Sequence, residues 1–374
     1  MKRIGILTGG GDAPGLNSAI KWVTKAASSI KFPGTGEDIE VIGIKDGWKG
    51  LVECDPNKIV EPYLPMQTGQ YLSVLETGMI RTWDRQGGTM LGTSRTNPFD
   101  ENNDQHRTVL ENLERIGIKC LVAIGGEDTL GVAAKFWGLG VPVIAIPKTI
   151  DKDLWGTDYT LGFETAVNII TEEIDRLRTT AGSHKRVFVV ETMGRHAGHL
   201  ALQGGMSAGA PIILIPEHDF SSDRVCELLE NRYSRGRRYS IVVVSEGAKE
   251  TGKEQVYRNH KEDQFKHLTL GGIGEQLAKT ITEKTGLETR SMVLSHLQRG
   301  GTPSAYDRRM GRNFGISAMN LLEHKQFGRM VCFQGGEIKS TIIEKAVGRL
   351  NLVNVAKEYD TEFYNGKWNI LFEE

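Results

Sequence analysis

Short runs of apolar residues, most of them bounded by glycine or proline, recur along the chain. Apolar and polar residues do not alternate within a run, which is the pattern of a strand buried on both faces of a parallel sheet. The runs that predict such strands are Ile4–Leu7, Val41–Ile44, Cys120–Ile124, Val141–Ile146, Val187–Val190, Ile212–Ile215, Ile241–Val244 and Met292–Leu294.

Helical patterns separate these strands. The clearest predicts a helix from Gly162 to Arg178, because its apolar residues recur at spacings of three and four and fall on one face. These residues are Phe163, Ala166, Val167, Ile170, Ile174 and Leu177. Strands that alternate with helices predict an α/β protein with doubly wound, mostly parallel sheets, in which ligands bind at the loops after the carboxyl ends of the strands.

The composition narrows the class of protein. A chain of 374 residues is long for one core, so we expect two domains or lobes. The 46 basic and 47 acidic residues leave a net charge of −1, which argues against a broad surface for nucleic acid or an anionic membrane. A hydrophobic fraction of 39% and a mean hydropathy of −0.31 are typical of a soluble globular protein.

The cysteines and the first residues bear on location. Cys54, Cys120, Cys226 and Cys332 are far apart, which disfavours a disulfide scaffold and a zinc ribbon and favours a reducing, cytoplasmic setting. The apolar run near Met1 is too short for a signal peptide or a membrane span, so we expect neither.

Glycines cluster directly after the predicted strands, where they let backbone N–H groups approach an anion. The first cluster, Gly9–Gly11, leads into a helix and predicts a phosphate cradle. It is not a Walker A loop, because Leu16 and Asn17 stand where Lys and Ser or Thr are required. It also lacks the third glycine of a dinucleotide fingerprint, which disfavours an oxidoreductase.

Two further strand ends carry carboxylates. Glu127 and Asp128 follow Gly125 and Gly126, and they either cap a helix or hold Mg²⁺, which prefers oxygen ligands. The segment 147–153 carries two aspartates, two lysines and a threonine. It is either a solvated charged turn or a catalytic loop whose carboxylate accepts a proton from a substrate hydroxyl.

Arginines at strand ends suggest a phosphorylated substrate, because the guanidinium fork binds phosphate through two hydrogen bonds. Arg195, Arg290 and Arg299 form this pattern, although each alone is more typical of a surface. Arg186 precedes the strand that Arg195 follows, so the two cannot share one site within a subunit unless the chain folds back. They could, however, serve neighbouring subunits.

An ordered series of motifs gives the chain a family resemblance from Met1 to about Leu322. The motifs are the opening Gly-Gly-Gly-Asp-Ala-Pro-Gly-Leu-Asn, then Gly92-Thr93-Ser94-Arg95, Gly125-Gly126-Glu127-Asp128-Thr129, Pro147-Lys148-Thr149-Ile150-Asp151, Met193-Gly194-Arg195 and His296-Leu297-Gln298-Arg299-Gly300-Gly301. The chain resembles the phosphofructokinase family.

This resemblance implies a two-lobed α/β fold with the active site between the lobes. It implies phosphoryl transfer to the 1-hydroxyl of fructose 6-phosphate, a reaction of glycolysis and gluconeogenesis, with Mg²⁺ as cofactor. We expect a donor-binding lobe of residues 1–162 plus about 297–325 and a sugar-phosphate lobe of residues 163–296. We expect residues from about 326 to 374 to form an extension packed on the lobes, to which the sequence assigns no function.

The resemblance also implies roles for single residues. Asp151 is implied as the general base, acting with Asp128, Lys148 and Arg195. The donor site is implied to hold Gly11, Arg95, Asp128 and Lys148, with Glu127 on the metal. The sugar-phosphate site is implied to contain Thr149, Ile150, Asp151, Arg186, Met193, Gly194, Arg195, Glu246, Arg290, His296, Leu297, Gln298 and Arg299. Arg186 and Arg290 are implied to reach a neighbouring subunit, which makes the protein a homodimer or homotetramer.

The residues at positions 128 and 148 bear on the phosphoryl donor. The resemblance implies that ATP-using members of the family carry glycine at both positions. Pyrophosphate-using members carry an aspartate and a lysine there, similar to the Asp128 and Lys148 of this chain. Two like charges about 4 Å apart at an effective dielectric constant near 20 cost about 4 kcal/mol, which would weaken ATP about a thousandfold. We therefore expect reversible, Mg²⁺-dependent transfer from pyrophosphate. ATP as donor is the alternative, and a non-catalytic sugar-phosphate sensor is a more distant one.

Two positions depart from the family pattern. Glu127 replaces the usual aspartate, so the metal contact is expected to be retained but to shift. Lys152 replaces the usual asparagine between Asp151 and Asp153 and either lowers the pKa of Asp151 or points to solvent.

Overall fold

A computed structural model describes residues 1–259, 265 and 269–368 of the chain. Its strands are β1 (Lys2–Thr8), β2 (Ile39–Ile44), β3 (Ile59–Val60), β4 (Leu72–Leu75), β5 (Phe99–Asp100), β6 (Asn103–Asp104), β7 (Ile118–Gly125), β8 (Val143–Pro147), β9 (Val187–Thr192), β10 (Ile212–Leu214), β11 (Ser240–Ser245), β12 (Tyr257–Asn259), β13 (Thr269–Leu270), β14 (Thr289–Val293), β15 (Arg329–Gln334), β16 (Glu337–Ile342), β17 (Tyr359–Asp360) and β18 (Asn365–Gly366).

The helices lie mostly between these strands in sequence, as the alternating pattern predicts. They are α1 (Leu16–Ala27), α2 (Trp48–Glu53), α3 (His106–Ile116), α4 (Glu127–Gly138), α5 (Phe163–His184), α6 (His199–Ser207), α7 (Ser222–Ser234), α8 (Ile273–Thr285), α9 (Ala305–Glu323), α10 (Ile343–Ala346) and α11 (Val355–Glu358). The predicted helix at Gly162–Arg178 is α5, which runs one and a half turns further. Two short 3₁₀ helices cover Trp83–Arg85 and Ser295–Arg299.

The larger sheet has the strand order β16-β15-β8-β7-β1-β2-β4-β3 among the described residues. Its centre is parallel, whereas β4 pairs antiparallel with β2 and β16 pairs antiparallel with β15. The smaller sheet has the order β10-β11-β9-β14 and is parallel throughout. The prediction of an α/β fold with doubly wound, mostly parallel sheets is confirmed.

Alternate residues of the central strands enter two different apolar clusters, one on each face of the larger sheet. The first cluster takes Ile4, Ile6, Val122, Ile124, Ile144 and Ile146. The second takes Leu7, Leu121, Ala123, Val143 and Ala145. Because both faces are covered, these strands need apolar residues at every position, which explains the unbroken runs in the sequence.

One predicted strand differs from the others. The last run predicts a fully buried strand at Met292–Leu294, but β14 ends at Val293 and Met292 is 41% exposed. The prediction of burial on both faces is wrong here, because β14 is an edge strand of the smaller sheet and pairs only with β9 among the described residues.

A buried carboxylate joins the parts of the chain that carry the two sheets. Asp307, in the first turn of α9, is fully buried. Its side chain accepts hydrogen bonds from the Tyr159 hydroxyl at 2.6 Å, from the Gly162 N–H at 2.6 Å and from the Thr165 N–H at 2.9 Å. Gly162 precedes α5, the helix that leads into the smaller sheet, so Asp307 fixes α9 against the start of α5.

Candidate active site

A cleft of about 400 Å³ lies where the carboxyl ends of strands from both sheets meet. Loops after β1, β7 and β8 line it from the larger sheet, and the loop after β9 and the 3₁₀ helix after β14 line it from the smaller one. Of the residues predicted from the sequence, the cleft is lined by Gly11, Arg95, Glu127, Asp128, Lys148, Thr149, Asp151, Arg195 and Arg299. A site between the two sheets is therefore what the structure contains.

The glycine loop after β1 is held open by its backbone conformation. Gly10 has a φ of 76°, a left-handed value that glycine adopts without a steric penalty. A Cβ atom at Gly11 would collide with the guanidinium of Arg299, which donates to the carbonyl oxygen of Asp12 at 3.1 Å. Glycine at these two positions therefore lets the loop approach the cations of the cleft.

The first turn of α4 presents carboxylates to the cleft. Gly126 precedes the helix, and Glu127 and Asp128 occupy its first turn, where the helix dipole favours negative charge. The Oε1 atom of Glu127 accepts a hydrogen bond at 3.0 Å from the N–H of Gly348, far along the chain. The N-cap position is held by Gly126 and no side chain caps the helix, so the capping interpretation of Glu127 and Asp128 is wrong, and both residues line the cleft.

Lys148 is a buried cation at the end of β8. Its side chain is only 2% exposed, and its Nζ atom donates to the carbonyl oxygen of Gly11. Burial, assisted by the nearby Arg299, lowers the pKa of Lys148 to about 7. The charge of this lysine is therefore sensitive to what binds beside it.

Asp151 is the candidate general base among the carboxylates that line the cleft. Its Oδ1 atom is buried and has no hydrogen-bond partner among the described residues, although the residue as a whole is partly exposed in the cleft. Burial raises the pKa of Asp151, while Arg299, Arg195 and Lys148 act in the opposite direction. Burial, and then the charge of Asp151, raises the pKa of Asp153 to about 7. The pKa of Asp151 is therefore set by burial, which raises it, as well as by the neighbouring cations, which lower it.

The side chain of Lys152 is half-buried and lies against Phe163, so it does not simply point to solvent. Its backbone has a φ of 57°, and its Nζ atom lies 5.3 Å from the centre of the Phe163 ring. Arg299, Arg195, Lys148 and His196 are the cations with the largest effects on the pKa of Asp151. The ammonium of Lys152 therefore lies where it can make a cation–π contact with an aromatic ring.

The loop after β9 brings Arg195 and His196 into the cleft from the smaller sheet. Glu246, directly after β11, is their neighbour, because the N–H of Gly247 bonds to the Gly194 carbonyl at 3.1 Å. Burial, followed by the charge of Asp151, raises the pKa of Glu246 to about 7. Arg195 and His196 line the cleft, whereas Glu246 lies outside its lining and next to them.

Several predicted residues lie outside the lining of the cleft. Ile150 is fully buried in the core, so its side chain does not face the cleft. Gln298 is also buried and accepts from the Met193 N–H at 3.3 Å, which makes both part of the wall behind Arg195. His296 and Leu297 are exposed beside the cleft, and Gly194 is buried beneath it.

Arg186 and Arg290 lie away from the cleft and beside one another. Both make ion pairs with the Glu288 carboxylate, at 2.7 Å and 2.9 Å. Within one subunit they therefore do not join the other predicted phosphate ligands, as their placement around β9 and β14 indicates.

The sequence analysis missed part of the lining. His196 and Phe265 line the cleft, and so do Gly348, Arg349 and Leu350 from the C-terminal region. His196 follows the Met-Gly-Arg motif directly and could have been included on that ground. The other residues lie in no motif and are brought to the cleft by tertiary structure alone.

The chemistry of the cleft suits a hard cation that is bound partly by phosphate. The described residues contain no group of three or more His, Cys, Asp or Glu side chains arranged to hold a metal ion. Mg²⁺ is commonly held by one or two carboxylates and by substrate phosphates, so this finding does not conflict with it. Glu127, Asp128, Asp151 and Asp153 supply only oxygen atoms, and the unpartnered Oδ1 of Asp151 is an available acceptor.

Comparison with known proteins places this cleft in context. The phosphofructokinase family model matches residues 3–322. A pyrophosphate--fructose 6-phosphate 1-phosphotransferase from Amycolatopsis methanolica is 44% identical over 367 residues, 97% of this chain and all of that protein. One of the same name from Dictyoglomus thermophilum is 45% identical over 97% of this chain and 96% of its own length.

An ATP-using relative is more distant. The ATP-dependent 6-phosphofructokinase 3 of Bacteroides thetaiotaomicron is 39% identical over 99% of each chain. The structure of phosphofructokinase from Saccharomyces cerevisiae matches with a TM-score of 0.77 at 28% identity. That match covers 92% of this chain, which spans 44% of the yeast chain. Among the described residues, no helix has the length and apolar character that crossing a membrane requires.

Proposed function

Because this chain belongs to the phosphofructokinase family, we propose that it transfers a phosphoryl group from inorganic pyrophosphate to the 1-hydroxyl of fructose 6-phosphate. The products are fructose 1,6-bisphosphate and inorganic phosphate. This is a phosphotransferase reaction of glycolysis, and it runs in both directions because pyrophosphate provides less driving force than ATP.

The observation that carries this proposal is the position of three residues in one cleft. Asp128 and Lys148, the donor-discriminating pair, line the same cleft as Asp151, the candidate base. A carboxylate at Asp128 disfavours the α-phosphate of a nucleotide, and the ammonium of Lys148 attracts the smaller inorganic donor. The relatives with 44% and 45% identity carry the name of the pyrophosphate enzyme, which supports the same donor.

The chemical step assigns a task to each side of the cleft. Asp151 accepts the proton of the sugar hydroxyl as the bond from that oxygen to the transferred phosphorus forms. The bridging P–O bond of pyrophosphate breaks, and its electron pair leaves with inorganic phosphate. Lys148 and Arg299 lie where they can offset the negative charge that grows on the phosphates during transfer.

Binding of the sugar phosphate involves the smaller sheet. We assign Arg195 and Glu246, at the ends of β9 and β11, to the sugar, and the 3₁₀ helix with Arg299 to the phosphate end. Arg186 and Arg290 complete the 6-phosphate site of a neighbouring subunit, since their positions beside Glu288 keep them out of their own cleft. The proposal therefore includes a homodimer or homotetramer. We propose the same division of the chain as the sequence predicts. It has a donor-binding lobe of residues 1–162 plus about 297–325, a sugar-phosphate lobe of residues 163–296 and an extension from about residue 326.

We also propose that the reaction requires Mg²⁺, bound by carboxylates of the donor site. We assign Glu127 as its protein ligand, with Asp153 in support. The ion, when bound, neutralises phosphate charge. A cytoplasmic setting is also proposed, and the described thiols of Cys54, Cys120, Cys226 and Cys332 are all free and buried, which supports it.

Side-by-side kinetics with the two donors test the proposed function. Purified protein, fructose 6-phosphate and Mg²⁺ are assayed with pyrophosphate or with ATP, and formation of fructose 1,6-bisphosphate is followed. We expect turnover with pyrophosphate and at least a hundredfold lower kcat/KM with ATP, in line with about 4 kcal/mol of repulsion at Asp128. Turnover with ATP and none with pyrophosphate would reject the donor assignment and favour the ATP-dependent alternative.

A further inference from the structure

The C-terminal region contributes a segment whose first residues line the cleft. This segment, residues 348–354, is here called the strap. At its first residue, the N–H of Gly348 donates to Oε1 of Glu127 at 3.0 Å. In its middle, the N–H of Asn351 donates to the Asp153 carbonyl at 2.8 Å, and its side-chain amide donates to the Lys152 carbonyl at 3.0 Å. The strap is therefore tied to the two loops that carry the acidic residues of the cleft.

The other end of the strap is tied to the side of the smaller sheet. The Nε2 atom of His199, in α6, donates to the Asn351 carbonyl at 3.0 Å, since a carbonyl can only accept. The N–H of Val353 donates at 2.8 Å to Oε1 of Glu217, which also accepts from the Gly198 N–H. With both ends fixed, residue 349 has a defined place in the cleft.

Arg349 brings a cation to that place. It lines the same cleft as Asp128 and Lys148, and the residue is exposed. No ion pair or hydrogen bond of its guanidinium is found within the part of the chain that the structure describes. Arg299, by comparison, is already engaged with the backbone of Asp12. Arg349 thus offers its whole donor fork to a ligand.

The charge balance of the cleft indicates an anionic ligand. Its lining holds five arginine and lysine side chains and four carboxylates. Without Arg349 the two charges would be equal in number, so the strap gives the cleft its excess of positive charge. A guanidinium binds phosphate oxygens in a planar, two-pronged geometry that suits a small polyphosphate.

We propose that Arg349 is a donor-binding residue that holds pyrophosphate from the side of the strap. This inference rests on the proposed function, because it names a further ligand of the same donor. Gly348 and Arg349 lie next to the first turn of α4, which carries Asp128.

Three variants of the full-length protein test this. Arg349→Ala removes the fork, Arg349→Lys keeps the charge without the fork, and Lys345→Ala removes an exposed cation of α10 that does not line the cleft. We expect Arg349→Ala to raise the KM for pyrophosphate about tenfold or more, with the KM for fructose 6-phosphate changed less than twofold. Arg349→Lys should fall between, and Lys345→Ala should match the wild type.

Direct binding separates this inference from the proposed function. Titration calorimetry with inorganic pyrophosphate and Mg²⁺, in the absence of sugar, should show at least tenfold weaker binding by Arg349→Ala, and thermal unfolding should verify that this variant is folded. Equal pyrophosphate affinity of Arg349→Ala and wild type would overturn the role of Arg349. Failure of the wild type to bind pyrophosphate or turn it over would instead reject the proposed donor, on which this inference depends.

Discussion

The ammonium group of Lys148, at the end of β8, donates a hydrogen bond to the carbonyl oxygen of Gly11, in the loop that follows β1. The contact joins the loops that follow β8 and β1, two strands of the larger sheet that β7 separates, at the edge where the donor is proposed to bind. It also holds the lysine in a buried place, and burial lowers the pKa of Lys148 to about 7.

This low pKa predicts a pH dependence of donor use. A lysine carries its charge below its pKa, so the charge is lost as pH rises through about 7 in the free enzyme. We expect kcat/KM for pyrophosphate to fall by up to about tenfold per pH unit above that point, because one proton is lost. The measurement is a profile of kcat/KM between about pH 6 and 9.

The carboxyl groups of Asp153 and Glu246 titrate in the same range, since burial raises the pKa of each to about 7. Lys148→Gln provides the control, because it keeps a similar size without a charge. Its kcat/KM for pyrophosphate should be low throughout and lack the part of the decline that Lys148 causes. A wild-type and a variant profile of the same shape would exclude Lys148 as the titrating group.

Removing the candidate base should separate chemistry from binding. Asp151→Ala is expected to lower kcat by about a hundred- to ten-thousandfold, because general base catalysis contributes that much. Fructose 6-phosphate binding, measured by calorimetry, should change little, since the sugar is held mainly by other residues. Glu344→Ala, an exposed carboxylate of α10 outside the cleft, is the matched control. Unchanged kcat in Asp151→Ala would remove this residue from the mechanism.

Replacing Asp128 and Lys148 with glycine should alter the choice of phosphoryl donor. In the double variant Asp128→Gly with Lys148→Gly, we expect kcat/KM for pyrophosphate to fall at least a hundredfold, because a charge-stabilising cation is lost. Loss of the Asp128 carboxylate removes about 4 kcal/mol of repulsion, so ATP should bind up to about a thousandfold more tightly. Calorimetry with ATP measures this, and unchanged ATP affinity in the single variant Asp128→Gly would contradict the electrostatic argument.

Asp307 should be important for stability. Its fully buried carboxylate accepts hydrogen bonds from α5 and from the segment before it, so Asp307→Asn places an amide where only acceptors are needed. We expect a loss of about 2 to 4 kcal/mol in the free energy of unfolding, measured with denaturant. Asp223→Asn, whose side chain is 83% exposed and paired with Lys284, should lose less than about 1 kcal/mol. Equal effects of the two substitutions would contradict the role of burial.

Mixing of inactive subunits tests whether neighbouring subunits share a site. Under this proposal, each active site combines Asp151 of one subunit with Arg186 of its neighbour. Oligomers made only of Asp151→Ala subunits, or only of Arg186→Ala subunits, are therefore expected to lack intact sites. In a random mixture, half of the dimers contain both kinds, and one of their two sites is intact, so about a quarter of the wild-type activity should return. Arg290→Ala should behave like Arg186→Ala. No recovery in mixed oligomers would place these arginines outside the active site.

The sequence predicted the parts of the fold that are governed by local rules. The central strands were recognisable because both faces of the larger sheet are buried, which requires unbroken apolar runs such as Cys120–Ile124. The run at Met292–Leu294 misled because its apolar character does not reveal that β14 is an edge strand. Strands β15 and β16 were not predicted. Strand β16 has no buried apolar run, because its residues are partly or fully exposed and it pairs antiparallel with β15 at an edge of the larger sheet.

The site was predictable where its residues follow strands directly. Gly11, Asp128, Lys148 and Arg195 belong to motifs at strand ends and meet in the cleft as expected. Arg349 could not be found in this way, because it is an ordinary arginine about 200 residues from its neighbours in the loop of Lys152 and Asp153. Its place depends on the hydrogen bonds of the strap, and long-range contacts of this kind leave no periodic signal.

The strap comes from beyond residue 322, where the match to the family model ends. Part of the lining of the cleft, Gly348 to Leu350, is thus built by a part of the chain that the family motifs do not include. Under the proposed role of Arg349, a substitution in this tail would change the affinity for the phosphoryl donor and leave the residues assigned to the proton and to the sugar unaltered.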